Sequence, residues 1–292
     1  MSAPPPTVVP SLRGRIGGDA RSGHYPVPHR YRLHLTPSCP QSLRIAVTHG
    51  LLGLGGTLPV TLLPAVPDGR EGEYAALRPL YEASSHQHPG PAAAPVLSDG
   101  WTGRIVSTHA PDILRDLAEQ FRGDGPELYP AHARDDIEEV ARLCEHDLHE
   151  AAQRAGRLGI GSCGHQEALD TLFRALDALE GRLAGRDHLR GGELTLADVH
   201  VWVSLVQLDT VHRWHLDATA VHRIAGYRRL WAYARRLAAL PAVGSHLDLD
   251  GIARRHHARC RGREAAGAAV QIVEWAAHLP VAPSSCPTQP RG

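Results

Sequence analysis

One stretch near the start of the chain constrains the fold most, because it joins a strand pattern to a helix pattern around a cysteine. Apolar and polar side chains alternate at the start of Arg30–Arg44 (RYRLHLTPSCPQSLR), as in a strand with one buried face. A Thr-Pro-Ser break follows, and a helical pattern begins at Pro40, a residue that favours the first helical position. We therefore expect Cys39 where a strand ends and a helix begins.

A thiol in that position has a particular chemistry. It faces the free backbone N–H groups and the positive end of the helix dipole, and both favour the thiolate over the neutral thiol. Because the thiolate is the nucleophilic form, Cys39 is predicted to be a reactive cysteine. The alternative is a buried structural cysteine beside a proline.

The elements that follow Cys39 have the order of a thioredoxin-like domain. The strand and helix lead to a second strand near Leu58–Leu63 and, after a Gly/Pro-rich insertion, to two short strands that form a hairpin. A helix over Pro111–Phe121 closes the unit. Pro95 opens the third strand, where such domains place a cis-proline opposite the cysteine, although most X-Pro bonds are trans.

From Asp124 onward, apolar residues recur at helical spacing. In Leu194–Asp198 (LTLAD), Thr195 can cap a helix and Asp198 can return the hydrogen bond, as in a capping box. The helix that begins there, Ala197–Trp214, is apolar on most sides, so we expect it at the buried centre of an all-helical domain.

These patterns divide the chain into four parts and predict an α/β domain followed by an all-α domain. The parts are an extended N-terminal arm (1–29), a thioredoxin-like thiol-binding domain (30–123), an all-helical substrate domain (124–262), and a C-terminal helix with a Pro-rich tail (263–292).

Composition excludes several classes of partner. The 292 residues carry 31 basic and 31 acidic side chains, so no overall field draws the chain to nucleic acid or to a membrane surface. No apolar run is long enough for a membrane span, and Met1–Pro10 lacks the features of a signal peptide. The five cysteines form no CxxC pair, which is typical of free thiols in a reducing compartment. We expect a cytoplasmic protein.

Six collinear segments resemble one family, the glutathione S-transferases, and are most similar to the Xi class, the glutathionyl-hydroquinone reductases. The resemblance extends from about Ser11 to His257. The segments are Arg30–Arg44, Ala94–Arg115, Glu127–Pro130, His165–Glu180, Glu193–His212 and Tyr227–Leu237. The fold implied is a thioredoxin-like domain followed by the all-helical glutathione-transferase domain.

The resemblance implies a two-step thiol exchange with a low-molecular-weight thiol, glutathione in the family. Cys39 matches the nucleophile, which attacks the sulfur of a thiol-conjugated hydroquinone before a second thiol clears the mixed disulfide. Ala94, just before Pro95, matches the residue whose backbone pairs with the cysteinyl part of the bound thiol. The family also implies a homodimer.

The thiol side of the site departs from the family. Gln41 stands where the family's CPWA motif has a tryptophan that packs on the thiol. The Glu-Ser pair that holds the γ-glutamyl end of glutathione falls on His109 and Ala110. Buried ligand charges lose their partners in such a replacement, which predicts a different thiol or a different acceptor from those of the family, with mycothiol as one candidate thiol.

The quinol side departs as well. The family's quinol-binding tyrosines fall on His212, on or near Leu158, and on His256 and His257. These histidines are candidate substrate-binding residues that could also transfer a proton near neutral pH, or they are simply polar lining. The predicted substrate is a hydrophobic electrophile or a thiol conjugate of a quinol-like or secondary metabolite.

Two other functions stay open. The same scaffold could catalyse thiol addition or isomerisation, with the thiol cofactor as nucleophile, or it could be a non-catalytic binding protein.

Two further features weigh less. Cys144, His146 and His149 share one helical region, but no HExxH motif or paired CxxC site occurs, so we assign no metal. The basic run Arg254–Arg263 either attracts an anionic ligand to the pocket mouth or is a solvated helix end. Without aromatic interleaving, it does not indicate nucleic-acid binding.

Overall fold

The structure is a computed structural model that describes residues 12–121, 123–158, 162–260 and 271–280. The proline-rich start of the predicted arm lies outside these ranges, as do the segments 261–270 and 281–292 of the predicted C-terminal helix and tail. No helix within the described ranges combines the length and the apolar character that a bilayer crossing requires.

Four strands form a mixed sheet in the order β2-β1-β3-β4. They are β1 (Tyr31–Leu35), β2 (Val60–Leu62), β3 (Val96–Asp99) and β4 (Arg104–Ser107). The first pairs in parallel with β2, with Leu33 opposite Val60, and antiparallel with β3, with Leu33 opposite Leu97. The hairpin of β3 and β4 is antiparallel. This β-α-β unit followed by a hairpin confirms the thioredoxin-like arrangement.

Eleven helices of the α type accompany the sheet in the described residues. They are α1 (Pro40–Leu51), α2 (Arg78–Ser84), α3 (Ala110–Gln120), α4 (Arg134–Arg142), α5 (Ala151–Arg157), α6 (Cys163–Arg182), α7 (Leu196–Thr210), α8 (Ala218–Ala225), α9 (Arg228–Ala238), α10 (Pro241–Gly244) and α11 (Leu249–Cys260). A π-helical stretch, Leu143–Glu150, makes α4 and α5 one continuous rod.

The capping box predicted at the start of α7 is present. The Asp198 carboxylate accepts a hydrogen bond from the Thr195 backbone N–H at 2.8 Å. It also accepts from the Leu189 N–H at 3.0 Å and from the Tyr233 hydroxyl at 2.9 Å. One carboxylate thus satisfies buried donors from three residues, and this fixes where α7 begins.

Helix α7 is the buried centre of the helical half. Trp202 is fully buried, and its indole N–H donates to the carbonyl of Ala234 in α9 at 3.1 Å. The helix ends at Thr210, four residues earlier than predicted, because Val211 leaves the helical conformation (φ −123°, ψ −58°) and a 3₁₀ turn, His212–His215, follows.

One hydrophobic core joins the two halves of the chain. Helix α1 packs against β1 of the sheet and against the helices α3 and α7. Leu33 of the sheet, Leu43 of α1 and Trp202 of α7 are all fully buried in the same cluster. Burial of apolar area on this scale is the main favourable term in folding. The α/β plus all-α fold class is confirmed.

The segment 271–280 is anchored to the end of α7. Its 3₁₀ turn, Trp275–His278, buries the Trp275 ring completely. The Asp209 carboxylate accepts hydrogen bonds from the backbone N–H groups of Ile272 and Val273 at 2.8 and 3.1 Å, and from the Trp275 indole N–H at 2.8 Å. These hydrogen bonds hold the segment against the helical half of the chain.

Candidate active site

Cys39 occupies the junction that the sequence predicts. It is the N-cap residue of α1, in an extended conformation (φ −99°, ψ 130°), and Pro40 is the first helical residue. The Cys39 carbonyl accepts the first helical hydrogen bond, from the Leu43 N–H at 2.9 Å. The thiol is free and half-exposed, which does not fit the alternative of a buried structural cysteine.

The Cys39 thiol lines a cavity of about 600 Å³ between the two halves of the chain. The first half contributes the start of α1, Tyr74 of the insertion, and Ala93 and Ala94 ahead of β3. The second half contributes the π-helical stretch, the end of α7 and one face of α11. This volume is large enough for a small thiol together with a second substrate of metabolite size.

The loop ahead of β3 borders the cavity. The Ala94–Pro95 peptide bond is cis, as predicted. Ala94 is half-buried and lines the cavity that Cys39 lines. Pro95 itself is buried and does not line it.

Positive charge dominates the ionisable lining. Four arginines face the cavity, and Glu145 is the acidic residue among the lining groups. Glu145 lies 3.6 Å from Arg44. Arg255 is buried and donates to two neutral oxygens, the Tyr74 hydroxyl at 2.8 Å and the Ala65 carbonyl at 3.2 Å. The cavity therefore favours an anionic ligand over a cationic one.

Arg259, one helical turn after Arg255, lies beside the nucleophile. Partial burial and the charge of Arg255 lower the pKa of the Arg259 guanidinium, whereas Cys39 raises that pKa. Arg259 and Cys39 line the same cavity.

Four histidines form the other polar wall. The His149 Nδ1 lies 3.0 Å from the His212 Nε2, and the Gln153 amide lies 2.8 Å from the second nitrogen of His149. Burial lowers the pKa of His212 to about 3, so this ring is neutral at physiological pH. The rings of His215 and His256 are in edge contact, with centroids 5.1 Å apart.

The structure brings together five of the nine predicted site residues. Cys39, Gln41, Ala94, His212 and His256 line the one cavity. The remaining four do not line it, and their predicted roles stay predictions.

Three of these four residues, and Leu158, lie outside the cavity lining for different reasons. His257 is exposed, because adjacent positions on a helix face different directions and His256 is the one turned inward. His109 and Ala110 begin α3, where the His109 Nδ1 lies 2.9 Å from an Asp112 carboxylate oxygen. Leu158, where a quinol-binding tyrosine was expected, is exposed and lies outside the cavity lining.

Cys144, His146 and His149, which share one helical region, do not face a common site. Cys144 is fully buried, and burial raises the pKa of its thiol to about 11. His146 is exposed and lies 3.1 Å from Glu150, whereas His149 faces the cavity.

Several lining residues were missed by the sequence patterns. A different trio, His215, His256 and Cys260, has ligand-type atoms that all lie within 4.8 Å of one another. The spacing of His256 and Cys260, four residues apart in a helical pattern, is the signal that could have indicated a shared face. Tyr74 carried no comparable signal, because its partner Arg255 is distant in the sequence.

Comparisons with known proteins extend over most of the chain. A family model described as the glutathione S-transferase C-terminal domain matches residues 134–236. The chain is 28% identical over 251 residues to the glutathionyl-hydroquinone reductase PcpF of Sphingobium chlorophenolicum, which covers 80% of this chain and 79% of that protein. It is 25% identical over 264 residues to the glutathionyl-hydroquinone reductase YqjG of Escherichia coli, covering 84% of this chain and 80% of that one.

Comparison with solved structures gives the same result as comparison with sequences. A glutathione transferase from Gordonia bronchialis is 29% identical and superposes with a TM-score of 0.74, covering 85% of this chain and 82% of that one. The Xi glutathione S-transferase of Phanerochaete chrysosporium is 26% identical, with a TM-score of 0.72 and coverage of 84% and 90%. These similarities confirm the resemblance predicted from the six sequence segments.

Proposed function

We propose that the chain is a divergent Xi-class member of the glutathione S-transferase superfamily and a cysteine-type thiol transferase that reduces a small-thiol conjugate through Cys39. Its enzyme class, a glutathione-transferase-like thiol transferase or oxidoreductase, is that of its relatives. One observation carries the assignment of Cys39: a free thiol at the start of α1 lines the same cavity as Ala94, which precedes the cis-proline.

The proposed reaction has two steps. The Cys39 thiolate attacks the sulfur of a quinol-like thioether, a sulfur–sulfur bond forms, and the carbon–sulfur bond breaks while the leaving carbon takes up a proton. A second small thiol then attacks the mixed disulfide, releasing a small-molecule disulfide and restoring the thiolate. Overall, the sulfur of the conjugate and the second thiol become the disulfide, and the two electrons they give up reduce the ring carbon to the C–H of the free quinol.

Arg259 and the start of α1 support the first step. Both place positive charge on the side of the cavity that holds Cys39, where it stabilises the negative charge of an attacking sulfur. The arginines of the cavity also favour an anionic conjugate, such as a carboxylated or phenolic one.

The identity of the small thiol is a separate proposal. The names of the curated relatives indicate glutathione, but Gln41, His109 and Ala110 stand where the family's glutathione contacts fall. We propose a low-molecular-weight thiol with a different body, mycothiol being one candidate, that keeps the backbone contact at Ala94. Homodimeric assembly and a cytoplasmic location are proposed from the same resemblance.

The experiment that tests the function is adduct mapping. The reduced protein is incubated separately with the disulfides of glutathione and mycothiol and with a thiol-conjugated hydroquinone, and adducts are located by peptide mass. We expect a mixed disulfide on Cys39 and release of quinol, both lost in Cys39→Ser. The matched control is Cys163→Ser, which removes an exposed thiol at the start of α6. Full quinol release by Cys39→Ser would refute the assignment.

A second candidate function rests on the histidine pair. His149 and His212 are joined nitrogen to nitrogen at 3.0 Å within the cavity, so a neutral acid–base pair faces the same substrate space. In thiol addition or isomerisation the thiol cofactor is the nucleophile, and turnover would survive in Cys39→Ser but fall in His212→Gln. The two candidates are therefore separated by the same pair of variants.

A further inference from the structure

Helix α11 presents two metal-ligand side chains to the cavity from one face. His256 and Cys260 are four residues apart, so they lie one above the other on the helix. His215, in the 3₁₀ turn that follows α7, lines the same part of the cavity and lies close to both. The cluster lines the same cavity as Cys39 but is built from other elements, so it does not include the proposed nucleophile.

The spacing of the three side chains suits a tetrahedral ion. Zinc bonds to thiolate sulfur at about 2.3 Å and to imidazole nitrogen at about 2.0 Å, so two such ligands lie ~3.6 Å apart in a tetrahedral site. The Cys260 Sγ and the His215 Nε2 are 3.7 Å apart. All three ligand atoms fall within 4.8 Å of one another, a spread that small rotations of the imidazoles can close.

We propose that His215, His256 and Cys260 bind one zinc ion, with the fourth coordination position open to the cavity. Two imidazoles and one thiolate are the donors that zinc takes in preference to magnesium or calcium. Binding converts the Cys260 thiol to a thiolate and releases one proton. Three protein ligands and one open position are the arrangement of catalytic rather than structural zinc sites.

The charges around the cluster specify what fills the open position. Arg255 and Arg259 flank the two α11 ligands and repel a bare cation. The Cys260 thiolate offsets one of the two charges on the ion, which leaves the site positive. An anionic fourth ligand is therefore favoured over water. This inference rests on the proposed function, whose substrates would supply a thiolate or a phenolate.

Cobalt substitution tests the site without an activity assay. The metal-free, reduced full chain is titrated with Co²⁺, and the spectrum is followed for a sulfur-to-cobalt charge-transfer band and tetrahedral d–d bands. We expect one equivalent to produce both. Cys260→Ser should abolish the charge-transfer band, and Cys39→Ser and Cys163→Ser, the matched controls, should keep it.

Zinc affinity gives the second readout. Competition with a chromophoric chelator should show binding of one Zn²⁺ that weakens at least ~10-fold in His215→Gln and in His256→Gln. Thermal unfolding with and without Zn²⁺ checks that each variant folds and should show a zinc-dependent rise in Tm only where the trio is intact. A charge-transfer band that persists in Cys260→Ser, a band lost in Cys39→Ser, or equal zinc affinity in all variants would overturn the proposal.

Discussion

The guanidinium of Arg255 donates a hydrogen bond to the hydroxyl of Tyr74 at 2.8 Å and so joins α11 to the insertion that follows β2. The two residues are 181 positions apart in the chain. Among the described residues, no carboxylate lies within ion-pair distance of Arg255, whose second hydrogen bond goes to the carbonyl of Ala65. Neutral oxygens thus hold a buried cation in the cavity wall, where its charge stays available to a ligand.

Removing the Tyr74 hydroxyl should loosen this wall. In Tyr74→Phe the buried guanidinium loses one of its two acceptors, and we expect the free energy of unfolding to fall by about 1–3 kcal/mol. Urea denaturation measures the change. The matched control is Tyr25→Phe, because the Tyr25 ring is only half-buried and contacts the Arg30 guanidinium by its face. A control loss as large as that of Tyr74→Phe would contradict the assignment.

The elements that depend on neighbours in the chain could be predicted. The alternation that forms β1, the proline that opens α1 after Cys39, and the Thr195–Asp198 box all involve residues within a few positions of one another. Local propensity and tertiary structure agree at these places, so the sequence patterns were sufficient to predict these elements. The helix predicted to reach Trp214 was too long, since nothing local marks the change of conformation at Val211.

A second stability prediction concerns Asp209. Its fully buried carboxylate accepts three hydrogen bonds from the segment 271–280 and lies 3.3 Å from the Arg213 guanidinium. Asp209→Ala leaves those three donors without their acceptor and removes the carboxylate beside the buried Arg213, so we expect a loss of about 3–5 kcal/mol in unfolding free energy. Limited proteolysis should also release the part of the chain that carries Trp275.

The control for this variant is Asp187→Ala. The Asp187 side chain is 83% exposed and pairs weakly with Arg236, so its removal should change the unfolding free energy by less than ~0.5 kcal/mol. Equal stability of the two variants would show that Asp209 does not anchor the segment.

The site was predicted less completely than the fold, for a physical reason. Cys39 and Ala94 could be placed because each sits at the end of a strand or helix with a recognisable pattern. His256 and His257 could not be told apart, since which of two adjacent helical residues faces the cavity depends on how α11 docks. Contacts such as that of Tyr74 with Arg255 join distant parts of the chain and produce no periodic pattern in the sequence.

His34 in β1 predicts a loss of stability in acid. Burial, with a smaller contribution from Arg32, lowers the pKa of His34 from 6.5 to about 4. The unfolded chain therefore binds the proton more tightly, so stability is full above pH 6.5 and falls as the pH drops towards 4. The full shift is worth about 3 kcal/mol, and since solvent reaches part of the ring we expect about half of that.

The measurement is urea denaturation at pH 7 and pH 4.5. The loss between these values should be smaller in His34→Gln than in the unsubstituted protein, because glutamine can keep a hydrogen bond to Ser98 but takes up no proton. His86→Gln, at an exposed position, should keep the original loss. If the loss of stability between pH 7 and pH 4.5 were unchanged in His34→Gln, groups other than His34 would be responsible for it.

Arg259 gives the sharpest test of how the cavity activates Cys39. We propose that the guanidinium charge stabilises the attacking sulfur, so Arg259→Gln should slow alkylation of Cys39 by iodoacetamide at neutral pH by about 3–10-fold. Arg254→Gln is the matched control, because Arg254 is an exposed residue of α11 outside the cavity lining. At alkaline pH, where the thiol is ionised whatever its neighbours, the two variants should react alike, which separates an electrostatic effect from a change in access. A rate that stays slow in Arg259→Gln at alkaline pH would mean that the arginine shapes the entrance to the cavity and does not ionise the sulfur.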